Sequence, residues 1–207
     1  MPHGSDVLVW KMRGFGDPKL VQDGVRRARA FKTLIVDLRG NGGGAVDTLN
    51  TMVSGFFDRE VVVAVEKSRK KEETFRAKPA RNPFLGRVIV LVDSESGSAA
   101  EMFARVVQLE KRGVVLGDRT AGAVMTARIF SHSVGLDDAR VFFGAMITVG
   151  DVRMSDGSSL EKIGVTPDYL TLPAPADLAA GRDPVLARAI TMAGGTITAE
   201  AAGQLFR

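Results

Sequence analysis

The sequence predicts an α/β protein with a mixed, largely parallel sheet, and three observations support this class. Short β-branched runs alternate with amphipathic stretches of helical length along most of the chain, which is typical of βαβ units. The runs at 33–38 and 87–92 are apolar almost throughout, as expected for strands covered on both faces. Between residues 126 and 149 the hydrophobic period falls to two around Asp137 and Asp138, which predicts an added antiparallel hairpin that turns at these residues.

Local patterns define the elements in order along the chain. Strands are predicted at 7–12, 33–38, 61–65, 87–92 and 114–116. Helices are predicted from Asp17 to about Phe31, at 46–57, at 98–109 and from Asp183 to about Met192. The first and last helices begin with Asp-Pro, an N-cap followed by a proline suited to the first turn. Residues 67–84 are polar and contain two prolines, so we interpret them as a hairpin excursion away from the main sheet.

Composition and charge exclude several classes of protein. The chain has 207 residues, of which 45% are hydrophobic and 25% charged, so it can bury a core and is not expected to be disordered. Its longest apolar runs are far shorter than the ~18 residues of a membrane-spanning helix. The net charge of +4 is too dispersed for a nucleic-acid-binding surface. With no cysteine and two histidines, neither disulfides nor a metal or other cofactor is expected.

A glycine-rich loop, RGNGGGA at 39–45, follows a predicted strand and precedes a helix. Gly40, Gly42 and Ala45 satisfy the dinucleotide-binding pattern G-x-G-x-x-A, and Glu66 stands where that pattern expects a ribose-binding acid. The same glycine amides could instead stabilise an oxyanion, because glycine adopts positive φ and leaves its N–H groups accessible. The loop alone therefore leaves nucleotide binding and oxyanion stabilisation both open.

A serine-rich turn, DSESGSAAE at 93–101, lies between a predicted buried strand and an amphipathic helix. A serine at such a position lies on the first turn of the helix, where unpaired amides and the helix dipole stabilise a developing anion. Simple N-capping by Ser96 or Ser98 is the alternative. The glycine loop favours a catalytic role for a serine of this turn over simple capping, since a nucleophile and an oxyanion hole are complementary parts of an acyl-transfer site.

Four segments, in order and at matching spacing, resemble landmarks of the C-terminal processing (tail-specific) serine peptidases. They are TLIVDLRGNGGG at 33–44, VLVDSESGSAAE at 90–101, GDRTAG at 117–122 and GVTPD at 164–168. Four motifs in register are more specific than any one of them, and they favour peptidase chemistry over nucleotide binding. The resemblance implies a ClpP/crotonase-like ββα-spiral core and a location in the periplasm or otherwise outside the cytoplasm.

The resemblance also implies roles for individual residues. Ser98, three places before Glu101, would be the nucleophile. The oxyanion hole would consist of the amide of Ala99 and that of Gly44 or Gly43. Asp37 and Arg39 would have structural roles in shaping the glycine loop.

One departure from the family pattern concerns the general base. The tail-specific branch has a lysine at the position of Ala123, and its absence makes the chain resemble the branch that includes the tricorn core protease. In that branch a histidine from a region upstream of the catalytic core supplies the base, and an acidic residue assists it. The resemblance implies that this acid comes from the segment before GVTPD. Glu161 is the only glutamate between Glu110 and Glu200, so it is the candidate, with a solvated ion pair to Lys162 as the alternative. His132 lies in an alternating strand and is more simply a structural residue.

These inferences define an expected organisation and activity. Residues 1–5 are expected to be a cloning remnant, 6–195 a peptidase core and 196–207 a C-terminal tail, with the family's N-terminal and PDZ-like domains absent. The expected activity is cleavage of peptide or protein substrates through an acyl-enzyme on Ser98, with little activity in the isolated core. The alternatives are an inactive peptide-binding member of the same fold and a nucleotide or acyl-CoA binder. A homo-oligomer is compatible with the sequence.

Overall fold

The computed structural model describes residues 1–4, 6–136 and 139–206 and contains two sheets and six helices within those ranges. The elements in chain order are β1 (Pro2–His3), β2 (Val7–Lys11), α1 (Pro18–Ala28), β3 (Thr33–Asp37), α2 (Val46–Ser54), β4 (Val61–Ser68), β5 (Glu72–Ala77), β6 (Arg87–Val92), α3 (Ala99–Leu109), β7 (Val114–Gly117), β8 (Thr126–Val134), β9 (Val141–Met154), β10 (Tyr169–Leu170), α4 (Pro175–Ala180), α5 (Pro184–Met192) and α6 (Ala199–Gln204).

The first sheet has the spatial order β1-β2-β3-β6-β7-β10, and all its neighbouring strands are parallel except β1 and β2. Strands β3 and β6 are central and nearly fully buried, which explains their continuous apolar sequence. Helices α1, α2 and α3 cover one face, where Leu34 and Val36 pack. Helix α5 covers the other face, where Ile35 and Ile89 pack. The predicted mixed α/β class with a largely parallel sheet is confirmed.

The second sheet is antiparallel, with the order β5-β4-β9-β8. The C-terminal part of β9, with Val152 and Met154, and the start of β4 belong to the main core. Strand β8 and the first eight residues of β9 form a long hairpin whose side chains are almost all exposed. The antiparallel hairpin predicted in this region is present, and the predicted turn at Asp137 and Asp138 lies outside the described residues.

Several elements differ from their sequence prediction: α1 ends at Ala28 rather than near Phe31, and β10, α4 and α6 had no predicted counterpart. Helix α2 ends at Ser54 rather than at residue 57, and Gly55, a residue type that weakens helices, forms its C-cap. Strand β4 continues to Ser68, since β5 and β9 pair with it on both sides. Strand β1 pairs with β2, although no local pattern predicts a strand there. No helix in the described part of the chain is long and apolar enough to cross a lipid bilayer.

Candidate active site

Three loops leave the carboxyl ends of neighbouring parallel strands and meet at one edge of the first sheet. The glycine loop follows β3, the serine turn follows β6, and residues 118–125 follow β7. The pairing of Asp37 with Leu91 and of Val92 with Gly117 places these strand ends side by side. In open α/β sheets this edge is where ligands are usually bound.

Asn41 holds the glycine loop against the serine turn. Its side chain is fully buried, and its Nδ2 donates to the carbonyl of Met12 at 2.8 Å. Its Oδ1 accepts from the amide of Gly43 at 2.9 Å, and its own carbonyl accepts from the amide of Gly97 at 2.9 Å. One asparagine therefore joins the end of β2, the glycine loop and the residue before Ser98.

Two glycines of the loop allow approaches that no side chain would permit. Gly43 has φ +96°, and a Cβ there would lie 2.6 Å from Cβ of Ser98 and 2.8 Å from the amide nitrogen of Ala99. Gly44 has φ +146°, and a Cβ there would lie 2.5 Å from the carbonyl oxygen of Phe15. The backbone of Gly43 thus packs directly on Ser98, which brings together two of the residues selected from the sequence.

Ser98 is distinguished from the two other serines of its turn. It is half-buried, stands at the N-cap of α3 with φ 52° and ψ −118°, and its hydroxyl makes no capping hydrogen bond. Ser96 is fully buried and donates its hydroxyl to the carbonyl of Leu38 at 2.9 Å, so it is structural. Ser94 is exposed. Of these three serines, only Ser98 has both the contact with Gly43 and a hydroxyl that the helix does not use.

The carboxylate of Glu101 connects Ser98 to the loop after β7. It is fully buried, and its Oε2 accepts from the amides of Ser98 and Ala123, both at 2.9 Å. Its Oε1 accepts from the hydroxyl of Thr120 at 2.6 Å and from the amide of Gly122 at 2.7 Å. Four donors compensate for burying the charge, so this carboxylate needs no cation beside it.

The backbone amides near Ser98 differ in their availability. The amide of Gly43 is occupied by Asn41. Within the described ranges, the amides of Ala99 and Gly44 donate to no protein acceptor. Phe15 is hydrogen-bonded to the residues on either side of Gly44. Its amide donates to the carbonyl of Gly43 and its carbonyl accepts from the amide of Ala45, both at 2.8 Å. Ala99, the residue after Ser98, and Gly44, the residue after Gly43, therefore retain backbone donors that no described protein group uses.

Glu161 lies against the same loop from the opposite side. Its Oε2 accepts from the amide of Val124 at 2.9 Å and from that of Met125 at 3.3 Å. The neighbouring amide of Lys162 donates to the carbonyl of Gly122 at 2.7 Å. Glu161 thus supports the residues that follow Ala123 through hydrogen bonds to their backbone.

His132 lies away from these loops. It is exposed in the middle of β8 and stacks on Phe143 with ring centroids 5.6 Å apart. Six residues of extended strand, roughly 20 Å, separate it from Thr126 at the start of β8. The ring contact explains this histidine as a structural residue.

Arg39 joins the glycine loop to the helix that covers the second face of the sheet. Its guanidinium donates to both carboxylate oxygens of Asp37, at 2.8 Å each, and to both oxygens of Asp183, at 2.8 and 2.7 Å. Burial would raise the pKa of Asp37, but the hydrogen bonds and charge of Arg39, with a smaller contribution from Lys11, lower the pKa below its ordinary value. Asp183 also caps α5 by accepting from the amide of Leu186.

The geometry argues against a dinucleotide site at the glycine loop. That motif requires the strand after the helix to lie beside the first strand in one parallel sheet. Here the strand after α2 is β4, which belongs to the second, antiparallel sheet. Glu66 accepts a hydrogen bond from the hydroxyl of Thr126 at 2.6 Å. In the described residues no cluster of three or more acidic or histidine side chains is placed to hold a metal ion.

Sequence analysis missed the roles of two residues. Glu101 stands three places after Ser98, which is the spacing of a capping box and was a signal for its bond to the Ser98 amide. Its bonds to Thr120, Gly122 and Ala123 depend on the fold and left no local signal. Asn41 is an asparagine inside a turn, where side-chain bonds to the backbone two residues on are common.

Comparison with known proteins identifies a family for this chain. The model of "Peptidase family S41" matches residues 7–171. The chain is 29% identical over 135 residues to the chloroplastic C-terminal processing peptidase of Tetradesmus obliquus, covering 65% of this chain and 28% of that protein. It is 29% identical over 140 residues to the tail-specific protease of Haemophilus influenzae, covering 66% and 20%. It is 30% identical over 155 residues to the carboxy-terminal processing protease CtpA of Bacillus subtilis, covering 70% and 31%.

Solved structures show the same fold at lower identity. The photosystem II D1 C-terminal processing protease superposes with a TM-score of 0.64 at 23% identity, covering 86% of this chain and 47% of that one. The tricorn protease superposes with a TM-score of 0.59 at 21% identity, covering 90% and 17%. The chain spans less than a third of the length of each of the three relatives named above.

Proposed function

Because the chain belongs to peptidase family S41, we propose that it is the catalytic core of a serine peptidase that cleaves peptide bonds through an acyl-enzyme on Ser98. The single observation that carries this proposal is the packing of Gly43 on Ser98, where a Cβ would lie only 2.6 Å from Cβ of the serine. Because the glycines have no side chains, the backbone of their loop can approach Ser98 closely, as an acyl-transfer site requires.

The oxyanion hole consists, in this proposal, of the amides of Ala99 and Gly44. Both lack a protein acceptor in the described part of the chain, whereas the Gly43 amide is bound by Asn41. The N-terminus of α3 adds its partial positive charge next to Ser98. As Ser98 Oγ attacks the carbonyl carbon of the substrate, the carbonyl oxygen becomes negative and these donors stabilise it.

A general base must take the proton of Ser98 Oγ during the attack and return it to the leaving amine. Water then attacks the acyl-enzyme carbonyl, gives a proton to the same base and releases the acid product as the serine is regenerated. Ala123 stands where the tail-specific branch has its lysine, so we assign the base to a histidine outside these 207 residues, as in the tricorn-like branch. Glu161, held at the amides of Val124 and Met125, is the acidic partner in this proposal.

We base the proposed substrate and cellular location on the family. The substrate is a peptide or protein, and the isolated core has little activity, since a serine triad that lacks its base retains only oxyanion-hole and binding contributions. One relative is named as chloroplastic, and we propose a location outside the cytoplasm for this chain as well. The proposed catalytic core spans residues 6–195.

The test is covalent labelling of the longer native protein with a fluorophosphonate, which reacts with activated serines. We expect labelling that is abolished by Ser98→Ala and unchanged by Ser94→Ala, the matched control in the same turn. The longer protein could instead fail to label and still bind peptide with an affinity that Ser98→Ala leaves unchanged. That result would overturn this proposal and identify an inactive peptide-binding protein. Labelling that persists in Ser98→Ala would assign the nucleophile to another residue.

A further inference from the structure

The hairpin of β8 and β9 exposes an unusual amount of apolar surface. Its large apolar side chains have exposed fractions from 44% for Phe130 to 81% for Leu136. The whole set is Ile129, Phe130, Val134, Leu136, Val141, Phe142, Phe143, Met146 and Ile147. We call residues 126–136 and 139–150 the hairpin arm. Isolated exposed apolar residues are normal in soluble proteins, but nine within one hairpin form a patch that requires an explanation.

The exposed area is large enough for a stable protein interface. A phenylalanine side chain has roughly 150–250 Å² of surface, and scaling the nine residues by their exposed fractions gives on the order of 1,000 Å². The largest apolar patch of a typical monomer is roughly 300–600 Å². Each partner of a standard interface contributes about 800 Å². Counted over both of its faces, the arm therefore offers the area that one side of a stable dimer needs, and a partner arm has to cover both faces to bury it.

Both faces of the arm are apolar. Residues opposite each other in the register share a face, so Phe130, Val134, Val141, Phe143 and Ile147 lie on one side. Ile129, Phe142 and Met146 lie on the other side. A sheet that packs one face on the body of its own chain has one apolar and one polar face. The arm is apolar on both faces, and the described part of the same copy covers neither.

The free edge of the arm is also unprotected. Strand β8 is at one edge of the second sheet, and Arg128 is the only residue among its nine that carries a full charge at neutral pH. The opposite edge, β5, has Glu72, Glu73 and Arg76 among its six residues. Charged residues are a common means by which proteins prevent edge strands from pairing with another chain. The protection is therefore present on one edge of this sheet and nearly absent on the other.

The absence of net charge on the arm favours an uncharged, apolar partner. In the sequence, residues 126–150 contain two arginines and two aspartates, so the segment has no net charge. An acidic or basic partner, or an anionic membrane, would be matched by a surface of opposite sign. A second copy of the arm meets no electrostatic barrier and presents the same apolar faces. Isologous contacts of this kind are the commonest basis of homodimers.

We propose that the hairpin arm is a self-association surface on which two copies of this chain pack their arms together across a two-fold axis. The proposal rests on exposed residues of the arm and is independent of the catalytic assignment. It specifies the homo-oligomer that the sequence only permitted.

Sedimentation equilibrium of the 207-residue chain is the first test. We expect a monomer–dimer equilibrium and an increase of at least about tenfold in the dimer Kd for Phe142→Asp, because the dimer would have to bury an unpaired charge. Leu20→Asp is the matched control, since Leu20 is 67% exposed on α1, and it should leave the Kd unchanged. A chain that is monomeric throughout, or a dimer that Phe142→Asp leaves intact, would overturn the proposal.

Cross-linking gives a second readout that does not depend on weakening the interface. The chain has no cysteine, so Ser131→Cys and Ala145→Cys each place one thiol on the arm. With a short bismaleimide, at least one of them should give a covalent dimer, whereas Asp23→Cys on α1 should not. Equal cross-linking of all three would overturn the proposal. So would a monomer whose arm binds neutral lipid vesicles, or an arm that is covered by another part of the longer polypeptide.

Discussion

Glu101 and Ser98 are joined by a hydrogen bond of 2.9 Å, in which the Ser98 amide donates to Oε2 of the carboxylate. The same oxygen accepts from the amide of Ala123, and the other oxygen accepts from Thr120 and Gly122. The position of Ser98 is therefore fixed by the same buried group that fixes the loop after β7. A change at Glu101 affects both sides of the site at once.

Glu101→Gln is expected to destabilise the protein by about 2–4 kcal/mol, measured by urea unfolding. Each carboxylate oxygen accepts two donors, so either orientation of the amide directs its NH₂ group at two donors and leaves them unsatisfied. Glu95→Gln, at an exposed position of the same turn, is the control and should change stability by less than about 0.5 kcal/mol. Equal effects of the two substitutions would contradict the importance assigned to these four bonds.

Gly43→Ala should be far more damaging than Gly42→Ala. The first substitution introduces a Cβ at φ +96°, 2.6 Å from Cβ of Ser98, whereas nothing lies within 4 Å of a Cβ at Gly42. We expect a loss of at least about 1–3 kcal/mol for Gly43→Ala and a change near zero for Gly42→Ala. Urea unfolding measures both, and fluorophosphonate labelling of the longer protein reports the displacement of Ser98. Similar tolerance at the two positions would refute the close approach.

Ala123→Lys should increase the labelling rate of Ser98 in the isolated chain. The amides of Ala123 and Ser98 lie within 2.9 Å of one carboxylate oxygen, so a lysine side chain at 123 is long enough to reach the hydroxyl. A general base contributes a factor of about 10²–10⁴ in rate. A Ser–Lys dyad introduced by this one substitution should raise the labelling rate by at least about the lower end of that range. Ala121→Lys, two residues earlier and also exposed, is the control. The idea fails if both variants label as slowly as the parent.

Asp37→Asn should destabilise the protein by about 1–3 kcal/mol near neutral pH, because it removes charge-assisted hydrogen bonds to Arg39 and leaves Asp183 as the remaining carboxylate partner of that guanidinium. The pKa of Asp37 is below its ordinary value of 3.8. Its carboxylate therefore contributes stability that is complete above that value and is lost as the pH falls through the lower pKa of the folded state. The difference between parent and variant should thus shrink below about pH 4.

Urea unfolding at a series of pH values checks this dependence on Asp37. Asp23→Asn, in an exposed pair with Arg26, is the control and should change stability little at any pH. A parent–variant difference for Asp37→Asn that stays constant down to acid pH would show that the charge of Asp37 does not stabilise the fold.

The parts of the fold that sequence predicts well are those with local signals. The buried strands β3 and β6 are continuous apolar runs, and α1 and α5 begin with Asp-Pro. The glycine loop and the serine turn could be placed together because both follow parallel strands and so reach the same edge of a sheet. The proximity of Ser98 to Gly43 follows from that placement.

Other features depend on contacts between distant segments. The extension of β4 to Ser68 requires its pairing with β9, some eighty residues later, and Glu66 to Ser68 look polar because they pass beyond the core. The four bonds of Glu101 could not be predicted, since three of them come from a loop whose path is set by β7. The exposure of the hairpin arm was hidden because its alternating period is equally compatible with a half-buried strand.

The backbone conformation of Ser98 carries a cost in the free energy of folding. Its φ of 52° and ψ of −118° lie in a region that glycine enters freely and that costs a residue with a side chain about 1–3 kcal/mol. Glycine at position 98 would therefore make the protein easier to fold while removing its hydroxyl. The presence of serine there is a standing cost to stability, and under the proposed function the chemistry of its oxygen offsets that cost.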